Sequence, residues 1–262
     1  MIMATHPGIA LVTGASSGIG EIYADRLARR GYDLVLVGRN ADKLQELAAS
    51  LTTTHGSKVE RIVADLGEPG GLARVERRLE TDPAITLLIN SAGLIGGGPL
   101  SAGQLDDLTS MLNINVVALT RLAAVAARVF AARGNGAIVN LASAMAFIDT
   151  PAAAAYAASK AYVLNLTLSL DLDVKPRGVQ VQAVLPGYTR TPMISDGAGL
   201  PAEIVMDADA MVDAALAGFD AGELVTIPSL EQVAAYDDWA ERRVALRPHI
   251  SLSQPASRYR AA

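Results

Sequence analysis

Tyr156 and Lys160 stand four residues apart, and a phenol and an ammonium at that spacing can move a proton. The alanines at 152–155 favour helix. A helix from Ala153 onward puts both side chains on one face, about one turn apart. A free tyrosine titrates near pH ~10. A fixed cation beside it favours the phenolate and is expected to bring Tyr156 down toward the working pH. Ser143 lies thirteen residues earlier, in the loop after an apolar run, where it can fold back and offer a second hydroxyl to the same substrate oxygen. A tyrosine and a lysine at this spacing recur by chance as a half-buried ring beside a solvated ammonium. The pair therefore takes its meaning from the elements around it.

Residues 9–12 form a short apolar run that ends in Thr13-Gly14-Ala15-Ser16-Ser17-Gly18-Ile19-Gly20, and a helical pattern then runs to about Arg30. Strand, glycine turn and helix make a phosphate site: the backbone passes close beneath a pyrophosphate, and the helix N-terminus contributes unpaired N–H groups and the positive end of its dipole. The glycines read G-x-x-x-G-x-G rather than the G-x-G-x-x-G of the common fingerprint. Residues 34–37 read as a second strand, followed by Gly38 and Arg39 with no acid at the strand end. An acid there binds ribose hydroxyls, whereas an arginine accommodates a 2′-phosphate, so NADP(H) is expected over NAD(H). Arg39 also has the plainer reading of a solvated surface arginine.

Residues 59–64 read as a third strand closed by Asp65-Leu66, residues 69–81 as a helix, and residues 86–89 as a fourth strand closed by Asn90-Ser91-Ala92-Gly93. Strands alternating with helices at this rhythm give parallel βαβ units. Gly14, Arg39, Asp65 and Asn90 all fall at carboxyl ends of strands, the rim where such sheets bind ligands. Residues 96–99 make a glycine-rich loop, and residues 105–133 a long helical region of one or two helices containing Asn113 and Asn115. On spacing alone these asparagines read as satisfied structural residues. Residues 136–141 are a fifth strand that delivers Ser143. The Tyr156 helix runs to about Val174, and residues 179–184 are a sixth strand left through Pro186, Gly187, Thr189 and Thr191.

Composition narrows the function. With no cysteine, thiolate catalysis, thiolate metal sites and disulfides are excluded, and the three histidines are scattered without ligand-like neighbours, so no metal is expected. A net charge of −5 without a basic stripe argues against nucleic acid. Residues 1–7 are too short and polar for a signal peptide, and no uncharged apolar run reaches membrane-spanning length, so a cytoplasmic protein without a membrane partner is expected.

Thr13-Gly14-x-x-x-Gly18-x-Gly20, Asn90-x-Ala92-Gly93, Ser143, Tyr156-x-x-x-Lys160 and Pro186-Gly187 occur together and in order. In this the chain resembles a classical short-chain dehydrogenase/reductase over roughly residues 8–228. The resemblance implies an α/β fold, a single-domain Rossmann-type doubly wound parallel sheet of about seven strands with helices on both faces. Residues 1–262 are expected to be one domain, with residues 229–262 a C-terminal helix and tail beyond the core. It implies an NADPH-dependent oxidoreductase that reduces a ketone or aldehyde reversibly. Tyr156 would be the proton donor or acceptor, Ser143 would hold the substrate oxygen, and Lys160 would bind the nicotinamide ribose and lower the Tyr156 pKa. Asn115 would support a water-linked proton relay, with Asn113 the competing assignment. Asp65 and Leu66 would contact adenine, and Thr191 the nicotinamide carboxamide. Gly14, Ser16, Ser17, Gly18, Ile19, Gly20, Arg39, Asn90, Ala92, Gly93, Pro186, Gly187 and Thr189 would complete the cofactor site. Ser91 departs from the family's usual second asparagine.

Residues 197–220 are expected to hold a substrate lid and a helix, and they offer little to anchor a charged group; the substrate expected is a neutral, hydrophobic carbonyl compound or alcohol. Residues 223–227 read as a seventh strand and residues 230–245 as a helix bearing Trp239, followed by an extended tail that is a candidate for packing across a subunit interface. A homo-oligomer, tetramer or dimer, is implied by resemblance, through the helices after residues 104 and 156. Two other readings use the same fold: a non-catalytic NADP-binding sensor, and a lyase or epimerase that transfers hydride only transiently.

Overall fold

The computed structural model describes residues 6–96, 98–194 and 199–260. Residues 1–5, Gly97 of the glycine loop, residues 195–198, which include the first two positions of the expected lid region, and the last two residues of the tail lie outside the described residues.

Seven parallel strands form the main sheet: β1 Ile9–Thr13, β2 Asp33–Gly38, β3 Val59–Val63, β4 Ile85–Asn90, β5 Gly136–Leu141, β6 Val179–Val184 and β9 Val225–Thr226, in the order β3-β2-β1-β4-β5-β6-β9. A second, two-stranded pair joins β7 Thr189–Arg190 to β8 Met206–Asp207. The central strands are largely apolar because a parallel sheet is covered on both faces. Alternation then sorts their side chains. Ala10, Val12, Leu34, Leu36, Leu87 and Ile89 pack toward one face, with α1 Gly18–Arg29, α2 Ala41–His55 and α7 Ala208–Asp220. Leu11, Val35, Val37, Ile85 and Leu88 pack toward the other, with α3 Pro69–Thr81 and α5 Leu119–Arg133. The strand order reverses between β1 and β4, and this switch point opens the crevice that holds the site.

The sequence reading passes over α2, although its signals are present. Asn40 caps it by accepting the Lys43 N–H at 3.0 Å, Gly56 ends it at φ 73°, and Leu44, Ala48 and Leu51 form its buried stripe. The seventh strand is reduced to Val225–Thr226, and the last helix, α8, begins at Ala234.

The region from 105 to 133 is one continuous helical run, long and apolar enough by length and composition to cross a membrane, with half of its apolar window buried in the fold. It consists of α4 Leu105–Leu112, a π-helical segment Asn113–Ala118 and α5. Such π-bulges re-aim side chains and recur at functional sites.

The chain divides into two compact units, Met1–Pro228 and Ser229–Ala262. In the second, α8 Ala234–Ala245 buries no residue; the Tyr236 and Trp239 rings lie 5.6 Å apart and the Arg243 guanidinium 5.7 Å from the Trp239 ring. The tail contains short 3-10 turns at Arg247–His249 and Ser257–Tyr259 rather than extended chain alone.

Candidate active site

Thr13 builds the crevice floor. Its buried hydroxyl accepts the N–H groups of Ser91 (3.0 Å) and Ala92 (3.1 Å), pinning the end of β4 against the end of β1. A Cβ on Gly14 would lie 2.9 Å from Ala92 Cα, and one on Gly20 would lie 2.4 Å from the Gly14 carbonyl oxygen, so the close approach of turn, helix and strand requires glycine. Ser17, at the N-cap of α1, makes no side-chain capping bond, which leaves the first N–H groups of the helix to an anion. Around this turn lies a cavity of about 200 Å³ lined by Gly14, Ser16, Ser17, Gly18, Ile19, Gly20, Arg39, Asp65, Leu66, Ala92, Gly93 and Thr191. Two charges stand at its mouth: Arg39 Nη1 lies 3.7 Å from Asp65 Oδ2, while Asp65 Oδ1 accepts the Gly67 N–H at 2.8 Å. The glycine cradle, the uncapped helix and the exposed guanidinium fit a dinucleotide phosphate.

A second, adjoining cavity is lined by Ser143, Tyr156, Lys160, Pro186, Gly187, Thr189 and Thr191, with Leu94, Ile95, Ala142, Met193 and Ile194 as its apolar walls. Ser143 caps the 3-10 turn Ala144–Phe147, accepting the Met145 N–H at 3.2 Å and donating to the Pro186 carbonyl at 3.3 Å. Tyr156 and Lys160 lie in the first turns of α6 Ala154–Val174. The Lys160 ammonium is buried, donates to the Leu141 carbonyl at 2.9 Å and lies 5.5 Å from the Tyr156 ring centroid.

Asn115 is buried and its amide is fully engaged: Oδ1 accepts the Leu94 N–H at 2.8 Å, and Nδ2 donates to the Leu94 carbonyl at 2.9 Å and to Ser159 Oγ at 3.3 Å. Asn113 is only partly buried. Of the two asparagines, it is therefore Asn115 that the π segment buries against the Leu94 backbone, behind the cavity wall.

Electrostatics differ from the sequence expectation for Tyr156. Burial raises its pKa, and the opposing pull of the Ser143 hydroxyl is smaller, so the phenol is not brought down toward neutrality. Removing a phenol from water disfavours its anion more than the neighbouring groups favour it. Burial also lowers the Lys160 pKa from the ordinary 10.5 to about 8. A lysine depressed in the folded state binds fewer protons there than in the unfolded chain between pH 8 and 10.5, so stability rises with pH across that window and the full penalty is felt below it. Lys160→Met is accordingly expected to stabilise the cofactor-free protein at pH 7, by up to about 3 kcal/mol, and to flatten that rise. Urea denaturation at pH 7 and pH 10 measures both. A loss of stability at pH 7 would contradict the assigned penalty.

The structure brings nearly all of the sequence-predicted residues to the two cavities. Asn90 and Asn115 are the exceptions: Asn90 turns into the sheet, where its Nδ2 donates to Asn140 Oδ1 at 2.9 Å, and Asn140 Nδ2 donates to Thr167 Oγ1 at 3.0 Å. Asn90 thus ties β4 to β5 and α6 instead of lining the cofactor cavity. Asn115 stands behind the wall, reaching the cavities through Leu94. The sequence reading also missed the apolar wall residues Leu94, Ile95, Met193 and Ile194. Their only signal was position, just past the ends of β4 and β7.

A family model described as short chain dehydrogenase matches residues 8–198. A solved short-chain dehydrogenase from Sphingobium yanoikuyae in complex with NADPH is similar at TM-score 0.93 and 46% identity, covering 97% of this chain and 100% of that one. That overlap takes in most of residues 229–262, so the C-terminal extension is shared. A bulky-bulky ketone specific alcohol dehydrogenase from Comamonas testosteroni follows at TM-score 0.91 and 42% identity, covering 96% and 98% of the two chains. Among curated proteins, the very-long-chain 3-oxoacyl-CoA reductase of Anas platyrhynchos is 34% identical over 198 residues, 72% of this chain and 63% of that protein. The matches span 56–63% of the length of the first curated relatives, one of which, from Homo sapiens, is named inactive.

Proposed function

The chain belongs to the short-chain dehydrogenase family, and on that premise we propose that it is an NADPH-dependent reductase of neutral, hydrophobic ketones, reversible as an alcohol dehydrogenase. The carrying observation is the convergence of Ser143, Tyr156 and Lys160 on one cavity whose remaining walls are largely apolar. When bound, a nicotinamide cofactor would supply the hydride that the carbonyl carbon receives. Gly14, Ser16, Ser17, Gly18, Ile19 and Gly20 would hold the phosphate end of the cofactor, and Lys160 and Thr191 its nicotinamide end. Tyr156 donates its phenolic proton to the carbonyl oxygen, and the Ser143 hydroxyl donates a hydrogen bond to the same oxygen, placing its developing charge between two donors. At neutral pH the phenol is protonated, the form that reduction needs, and burial pushes formation of the phenolate that oxidation needs to higher pH. Lys160 holds a cation behind Tyr156 that stabilises the phenolate left after transfer. The walls Leu94, Ile95, Met193 and Ile194 accept apolar arms and offer no partner to a charged one.

The preference for NADPH rests on Arg39, exposed at the mouth of the first cavity with no acid at the end of β2, and is supported by the NADPH complex of a similar protein. Arg39→Ala is expected to lower the NADPH-over-NADH preference by about ten- to a hundredfold, the worth of a charge-assisted contact. Ratios of kcat/KM for the two cofactors measure it; an unchanged ratio would remove Arg39 from the assignment. A homo-oligomer is part of the same reading, supported by Leu105, Leu112 and Val117 on the α4–α5 run and Tyr162 and Leu172 on α6, all large apolar residues left exposed.

The decisive experiment is NADPH consumption, with NADH in parallel, over a panel of bulky ketones, aldehydes and 3-oxoacyl thioesters. Turnover of the ketones with NADPH favoured is the expected result. Tight NADPH binding without turnover on any member would overturn carbonyl reduction in favour of a non-catalytic NADP-binding protein.

A further inference from the structure

Among the buried hydroxyls that the mechanism above leaves unused, one lies between its two central residues. Ser159 is 2% exposed, sits in mid-helix between Tyr156 and Lys160, and has both hydrogen-bonding roles filled. Its Oγ donates to the Tyr156 carbonyl at 2.7 Å and accepts from Asn115 Nδ2 at 3.3 Å. Serine is a mediocre residue for a helix interior, and a hydroxyl bonded back onto its own helix tends to bend it. Helix propensity therefore does not account for it.

We propose that Ser159 is a positioning residue that locks the Tyr156 turn of α6 to the π segment through Asn115, and so to the Leu94 wall of the substrate cavity. The connection is continuous. Asn115 clasps the Leu94 backbone with two hydrogen bonds, at 2.8 and 2.9 Å, and its third bond runs to Ser159. Leu94 lines the cavity that Tyr156 enters. The space alongside is tight: a Cβ on Gly93 would lie 3.4 Å from Asn115 Oδ1 and 3.7 Å from Lys160 Nζ. Through this chain the phenol that gives the proton and the wall that seats the ketone are held in one register. Without Ser159 Oγ, Asn115 keeps its clasp on Leu94, but its side chain loses its link to α6.

The proposal rests on Tyr156 being the proton donor, and its test separates the two. In the full chain, Ser159→Ala preserves volume and favours helix, so folding is retained. It is expected to lower kcat for the best ketone by about three- to tenfold, the worth of one ordinary hydrogen bond. KM and the NADPH dissociation constant should hardly move, and Ser159→Thr, which keeps the hydroxyl, should recover most of the loss. In an Asn115→Ala background, the further loss from Ser159→Ala should be much smaller than in the unmodified protein, because its bond to Asn115 is already gone and only its bond to the Tyr156 carbonyl remains to be lost. A readout without turnover is the phenolate absorbance of Tyr156, taken as the difference from Tyr156→Phe. A loosened turn admits water, so in Ser159→Ala this titration should begin at lower pH. An unchanged kcat, full additivity with Asn115→Ala, or an unmoved Tyr156 titration would each overturn the positioning role. If no ketone is turned over by the unmodified protein, the titration still decides for or against Ser159 while the reductase reading falls alone.

Discussion

Tyr156→Phe is expected to lower kcat by about a hundred- to ten-thousandfold, the range over which a positioned general acid accelerates proton transfer. The substitution removes one hydroxyl and keeps the ring, and Lys160 retains its bond to the Leu141 carbonyl. NADPH binding, followed by fluorescence, should therefore be nearly unaffected. Ser143 still supplies a hydrogen bond to the substrate oxygen, so KM should change far less than kcat. The pH profile gives a second check. In the proposed mechanism reduction uses the protonated phenol and oxidation of the alcohol uses the phenolate, whose formation burial pushes to higher pH. In the unmodified protein oxidation should accelerate as pH rises toward the Tyr156 ionisation; in Tyr156→Phe that dependence should vanish. Substantial residual turnover would remove Tyr156 from the proton-transfer step.

Gly20→Ala is expected to be the most damaging single methyl that can be added to the cofactor cavity. Its Cβ would lie 2.4 Å from the Gly14 carbonyl oxygen and 2.7 Å from the Gly14 carbonyl carbon, both backbone atoms that cannot swing aside. To relieve the overlap, α1 must retreat from the turn, which misplaces the N–H groups that would meet the pyrophosphate. We expect at least about a hundredfold weaker NADPH binding, together with roughly 1–3 kcal/mol of destabilisation, the usual result of overpacking. Gly70→Ala is the matched control, because nothing lies within 4 Å of a Cβ there and the position is in the first turn of α3. It should leave binding intact and stability unchanged or slightly raised. Titration of NADPH fluorescence and urea denaturation of the two variants measure both effects. Equal affinities would mean that the glycine turn does not serve the cofactor.

The legible parts of this fold were those with strong local signals. Strands such as Gly136–Leu141 and Val179–Val184 are bounded by turn residues and carry closely spaced β-branched or other apolar residues, so their limits could be read directly. The helix Pro69–Thr81 announces itself with proline at its first position and a buried stripe of Leu72, Val75 and Leu79. Less legible were elements whose form depends on neighbours. Val225–Thr226 is short because its register brings it alongside only Ala183 and Val184, the last two residues of β6. The π segment leaves no mark in helical propensity, yet it distinguishes Asn115 from Asn113.

By itself the amino-acid sequence determined the chemical inventory and its order along the chain. A phenol and an ammonium lie one helical turn apart, a serine follows a strand, a glycine turn joins a strand to a helix, and there is no thiol. These are properties of residue type and local spacing, which short-range physics reads without a partner. Only the tertiary structure decided which of those residues share a cavity and what burial does to them. Asn90 fell on the same strand-end rim as Arg39 and Asp65 but turns inward, because Asn140 on the neighbouring strand offers it a partner. Tyr156 was expected to be drawn down by Lys160 and is instead held high, because desolvation depends on everything packed around the phenol, whereas the spacing of two residues specifies one pair. Position along the chain is local information; burial and partnership are sums over the whole fold.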